Sequence, residues 1–209
     1  MYVAGADQGG LTMPDREYCL AAEPRFAMIR DGFRGYVGQL LKLAGADNRE
    51  ALATRVLALE TRLAQAQWTK VQLRDPIAVY NKFAAAKAPG LDWLRYLDAA
   101  GVRTAELVVG QPSFFTTLGS ALTQVPLEDW KAYLKFSTAD EYAPNLGAQF
   151  VDANFASTTA CRANRSSSHA GGAPSCWSTP GWVRRWGSDM SSGTSPARRS
   201  AAWTLSSPT

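Results

Sequence analysis

Histidine is almost missing from this chain of 209 residues: only His169 is present, followed by Ala170, Gly171 and Gly172. A zinc helix of the His-Glu-x-x-His kind needs two histidines one turn apart, so that chemistry is excluded here. Cysteine is nearly as scarce. Cys19, Cys161 and Cys176 make no disulfide framework and do not report a redox compartment. No apolar run approaches the length needed to cross a bilayer, and Met1 to Asp7 lacks the basic and apolar regions of a signal peptide. No membrane segment or address is therefore expected in the chain, and its location stays unassigned. Phosphate-loop and nucleophile-elbow signatures are missing as well, since no Gly-Lys-Ser or Gly-Lys-Thr follows Gln8-Gly9-Gly10 and no Gly-x-Ser-x-Gly occurs.

What is present reads as globular: 46% hydrophobic and 19% charged residues allow a real core. The formal charge of +4 suggests nucleic acid until it is located along the chain. Residues 157–209 hold six arginines and one acid, a net +5, which leaves residues 1–156 at −1. The basic character thus belongs to the tail, and no nucleic-acid partner is expected for the body. That tail has thirteen serines and four of the seven tryptophans, one leucine, and no lysine, glutamate, phenylalanine, tyrosine or isoleucine. A folded domain would need the missing aliphatic residues, and a linker would not carry the tryptophans.

Up to Ala156 the pattern is mainly α. The opening residues through Tyr18 read as loop and turn. After Pro24, Phe26, Ile29, Phe33, Val37, Leu40 and Leu41 share one helical face, with Gly45 as the stop. Asp47 and Glu50 read as a capping box for a second helix carrying Leu52, Val56, Leu59 and Leu63, and the two should pair as a hairpin. Asp75-Pro76 predicts a short helix through Tyr80 and Phe83. Leu91, Leu94 and Leu97 predict another, closed by Gly101. Glu106 to Val109 is the one good strand candidate. Ser113 is the expected cap of a helix with Phe114, Leu118, Ala121 and Leu122. Pro126 starts a helix through Trp130, Tyr133 and Leu134, and helix resumes after a break near Pro144, through Phe150 and Phe155.

Six blocks in this body resemble the N-terminal region of the neprilysin and endothelin-converting-enzyme family of zinc metallopeptidases, bacterial members especially. They are Gln8-Gly9-Gly10-Leu11 with Pro14 to Tyr18; Leu57 to Ala64; Arg74-Asp75-Pro76 with Tyr80-Asn81-Lys82; Val109 to Phe115; Pro126 to Leu134; and Phe150 to Ala156. Their occurrence together and in the family's order carries the resemblance. It implies a helical cap over a cavity in which peptides are cut, facing a lobe that holds zinc; intact members are periplasmic, secreted or membrane-anchored. It also implies zinc for the intact family but none in this chain, which has no residue to which a catalytic, cofactor-binding or metal-ligand role can be given.

The expectation is thus a mainly α fold: residues 1–156 as a helical cap-type fragment of a metalloendopeptidase, inactive alone and lacking its catalytic lobe, with residues 157–209 as a disordered, out-of-frame tail. Both ends read as truncated. Regrouping the tail's codons by one base allows family-like sequence; Asp189 to Pro196 can then encode Tyr-Val-Glu-Arg-His-Phe-Pro. Sequencing the locus beyond the stop codon tests this, since His-Glu-x-x-His should appear in the shifted frame. The alternative function is a stand-alone helical module that binds peptides or a partner without catalysis. Cys161, His169 and Cys176 match no zinc spacing. Asp75, Glu128 and Asp129 sit at helix starts and read as caps. A cap cut from its other lobe is also expected to aggregate or stay partly molten.

Overall fold

A computed structural model describes residues 3–165, with side chains through 157. The elements run β1 (Ala4–Ala6), α1 (Arg16–Leu20), α2 (Pro24–Leu43), α3 (Arg49–Ala66), β2 (Asn81–Ala84), α4 (Trp93–Ala99), β3 (Glu106–Val109), α5 (Pro112–Gln124), α6 (Leu127–Tyr142) and α7 (Ala148–Arg165), joined by short 3-10 turns. The body is mainly α, as the periodicity predicts.

α2 and α3 form the predicted hairpin. α2 ends at Gly45, whose φ of 78° is left-handed. The Gly45 N–H donates to the Lys42 carbonyl and the Ala46 N–H to that of Leu41, the Schellman pattern that satisfies the last orphan carbonyls. Gly101 closes α4 in the same way, its own N–H donating to Asp98 and that of Val102 to Leu97. The main core lies between α2, α3 and α6, centred on Phe33, Val37, Leu40, Leu41, Val56 and Phe136, all fully buried. Phe33 and Tyr36 both meet the Phe136 ring edge to face.

A second, smaller core sits under a three-stranded sheet ordered β1-β3-β2. β1 runs parallel to β3, with Gly5 opposite Val108, and β2 runs antiparallel to it, with Lys82 opposite Val108. Leu107 and Val109 point from the central strand onto Trp93, Phe114 and Phe115. Leu118 of α5 packs against both cores and joins them.

Several local expectations are overturned. Residues 76–79 make only turns before the chain becomes β2, because Asn81 to Ala84 find ladder partners on β3 that a helix would forgo. Glu106 to Val109 is one strand of three among the described residues. Arg16 to Tyr18, read as loop, belong to a helix that runs to Leu20 and is capped by Asp15, whose carboxylate accepts the Glu17 N–H. Asp47 makes no capping box: Asn48 occupies the cap position and no side chain bonds there. Ser113 lies inside α5, with Gln111 at the cap and Pro112 in the first turn. α7 stays helical through Arg165, beyond the composition change at 157. The tail expectations from residue 166 onward, and those resting on the side chain of Cys161, lie outside the described residues.

Candidate functional site: a buried polar lattice

The polar side chains of this fold converge inside it. Thr12 and Glu60 are both fully buried, and Thr12 docks the N-terminal segment onto α3. Its hydroxyl donates to Glu60 Oε1 at 2.7 Å and its N–H to Oε2 at 3.3 Å. Burial pushes the Glu60 carboxyl up to about 8; the Thr12 and Met13 donors oppose the shift, and Asp140 adds to it. The acid is therefore mostly neutral at pH 7. Tyr133 of α6 reaches the same segment, donating its hydroxyl to the Gly10 carbonyl at 2.8 Å. Gly10 is required here: its φ is 86°, and a Cβ would stand 3.3 Å from both Leu63 Cδ1 and the Tyr133 oxygen.

A second node joins three helices. The Tyr36 hydroxyl on α2 donates to Asp140 Oδ1 on α6 at 2.5 Å and accepts from Asn154 Nδ2 on α7 at 3.0 Å. Burial raises the Asp140 carboxyl to about 6 against the lowering effect of Tyr36, with Glu141 adding to the rise. Burial and the neighbouring Asp140 also push the Tyr36 phenol well above its ordinary range.

A third group ties the sheet to the helices. Gln8 donates from Nε2 to the Trp68 carbonyl at 3.1 Å and accepts the Trp68 N–H at 2.7 Å. Its own N–H donates to Gln111 Oε1 at 2.6 Å. Gln67 Nε2 donates to the Gly9 carbonyl at 3.0 Å, and the Trp68 indole N–H donates to Ser113 Oγ at 2.7 Å.

These groups bond one element of the fold to another. The Glu60 carboxyl is engaged by the Thr12 hydroxyl and N–H, and Asp140 Oδ1 by the Tyr36 hydroxyl. Among the described residues no cluster of three His, Cys, Asp or Glu could hold a metal. The sequence has no His-Glu-x-x-His either, so the residues present do not fit a catalytic zinc. Of the acids expected as caps, Asp75 precedes a turn, while Glu128 and Asp129 lie in the first turn of α6, whose end no side chain caps. Asp75 accepts the Ile77 and Ala78 N–H groups, Glu128 pairs with Lys131 and Asp129 with Arg55. Gln8-Gly9-Gly10, dismissed above as a phosphate loop, is the buckle that joins sheet, α3 and α6.

Sequence reasoning missed Thr12, Tyr36, Glu60 and Asp140 as a connected set, because nothing local distinguishes a buried carboxyl on a helix from a solvated one. One signal was available. Glu60 and Tyr133 stand where the apolar stripe should be, and a polar group on a buried face must find a partner.

Among the described residues, an open apolar groove of about 500 Å³ lies between α6 and α7, lined by Leu134, Tyr142, Leu146 and Phe150 with Lys135 at its side. No helix among the described residues is long and apolar enough to cross a membrane.

A model of the N-terminal region of peptidase family M13 matches residues 1–170. Endothelin-converting enzyme-like 1 of mouse is 36% identical over 103 residues, which are 46% of this chain and 13% of that protein. The human counterpart is 33% identical over the same length and shares. Among solved structures, the Mycobacterium tuberculosis zinc metalloprotease Zmp1 in complex with inhibitor is similar at 29% identity and a TM-score of 0.68, covering 74% of this chain and 25% of that one. Its open state matches at 27% identity and a TM-score of 0.70, over 84% of this chain and 28% of that one. The chain thus spans a small part of the relatives it matches.

Proposed function

The chain belongs to peptidase family M13, as a stretch of its N-terminal helical region, and on that premise we propose that it is a non-catalytic helical wall of a zinc metalloendopeptidase. In this reading it helps enclose peptide substrates while a separate lobe supplies zinc and the attacking water. The observation that carries the reading is the coincidence of family and architecture. Each of the six blocks that resemble the family contributes to the hydrogen-bonded framework: Gln8, Glu60, Asn81, Gln111, Tyr133 and Asn154 in turn. What the blocks encode is a rigid support.

Two assays of the full chain test this. Elemental analysis after zinc loading and removal of free metal should find no stoichiometric zinc, and a quenched fluorescent peptide should not be cleaved. Tightly held zinc together with cleavage would overturn the reading. Added to a zinc lobe from an M13 relative, the chain should raise peptide cleavage above that of the lobe alone. No gain would count against a wall function.

The groove between α6 and α7 favours a second reading, a module that binds peptides without cutting them. Saturable binding of an apolar peptide, lost in Leu134→Glu, with no gain when the zinc lobe is added, would select it.

A further inference from the structure

We propose that the outer edge of β1, centred on the main chain of Gly5, is a docking site for one extended peptide strand. β1 is an end strand of the three-stranded sheet, and no strand among the described residues pairs with its far side. The register shows which groups are left over. β1 runs parallel to β3 with Ala4 opposite Leu107 and Ala6 opposite Val109, and the Gly110 N–H donates to the Ala6 carbonyl at 2.8 Å. In a parallel ladder one residue turns both of its main-chain groups to a given neighbour, and the next residue turns both of its groups the other way. Ala4 and Ala6 therefore face β3. Gly5, which is exposed, holds its N–H and its carbonyl toward the open side.

The opposite end of the sheet has the same leftover groups but is guarded. The Ala85 N–H donates to the Ala105 carbonyl at 2.9 Å, and the alternation of an antiparallel ladder then turns the main chain of Lys82 and Ala84 outward. Lys82 is charged and tied to Glu106 at 2.7 Å, and a lysine on an end strand discourages the addition of further strands. β1 has no such guard. Ala4–Ala6 contain neither charge nor proline, and Val3 before them is 43% exposed. An outward N–H and carbonyl on an extended segment are matched by the main chain of another strand, which offers an acceptor and a donor at the same spacing. Ala4 and Ala6 pack onto the second core, so Val3 lies on the opposite face, where a β-branched side chain of the occupant adds apolar contact. The site needs neither a zinc lobe nor the groove between α6 and α7, so its failure and that of the wall reading are separate.

Amide exchange of the full chain, read residue by residue by NMR with and without the end-capped peptide Lys-Thr-Val-Thr-Val-Lys, tests the site. In the free chain the Gly5 amide should exchange faster than that of Ala6. With peptide at about ten times its Kd, Gly5 exchange should slow about tenfold, since only the unbound fraction stays open, while Lys82 and Ala84 are unchanged. The same peptide methylated on every amide nitrogen keeps its side chains, loses its donors and should give no slowing. Gly5→Pro removes the outward donor without touching the ladder to β3, so it should abolish binding and leave Ala6 protected. A Gly5 amide already protected in the free chain, or protected by raising the chain concentration alone, would mean a different occupant and overturn the proposal. So would slowing confined to Lys82 and Ala84 or to α6 and α7, an equal effect of the methylated peptide, or no slowing at millimolar peptide.

Discussion

Glu60 shows how a single position can set the behaviour of the molecule. Its carboxyl is held at about 8 inside the fold and returns to about 4.5 when the chain unfolds. Between those values the native state binds a proton that the unfolded state has lost. The stabilisation is therefore fully present below 4.5 and disappears as pH rises through 8. Asp140 acts in the same direction between 3.8 and about 6. The melting temperature should accordingly climb as pH is lowered from 8 to 5, opposite to a protein held by ionised carboxylates. Glu60→Gln should flatten the upper part of that curve in thermal scans across pH. Cys19 supplies a second test. It is buried, and desolvation, with Glu60 and Asp15 adding to it against Arg30, pushes its thiol up to about 12. Since only the thiolate reacts, alkylation mapped by mass spectrometry should leave Cys19 unmodified in the native chain at pH 7.5 and label it only in denaturant.

Among the elements, α5 and the loop before α4 make the closest approach. A Cβ on Gly119 would run into the carbonyl oxygen of Gly90, and one on Gly90, whose φ is 90°, would run into the Phe115 backbone. Neither neighbour is a flexible side-chain end, so the backbone itself must move. Gly119→Ala should cost about 3 kcal/mol in denaturant unfolding, despite alanine's better helix propensity. Gly45→Ala meets no atom within 4 Å and bears only the left-handed backbone penalty, about 1 kcal/mol. The ratio of the two separates steric contact from conformation. Gly45 and Gly101 were legible as helix stops because a Schellman end is a local device. The extended segment at Asn81 was not, because its partner residues lie 22 to 28 positions along the chain and only pairing makes it a strand.

At the scale of the whole molecule, two cores are joined by Leu118 and by the hydrogen bonds of Gln8 and Gln111. Gln8→Ala removes both side-chain bonds to Trp68 and should uncouple the sheet from the helices. Each lost bond is worth about 1 kcal/mol, so the β3 amides should exchange measurably faster while those of α3 change little. Uniformly faster exchange would mean the two cores unfold as one unit. Composition and periodicity by themselves determined the mainly helical class, the α2 and α3 hairpin, the near-neutral charge of the body and the lack of a His-Glu-x-x-His sequence, because each depends on residue types or on spacings within a turn or two. The order of blocks was legible too, and with it the family. Only the tertiary structure decided that Glu60, Tyr133, Thr12, Tyr36, Asp140 and Asn154 meet, and that the Gln8 block is a buckle. Burial and long-range pairing arise when helices distant in sequence close on one another, and no local pattern records which polar groups are then shut away from water.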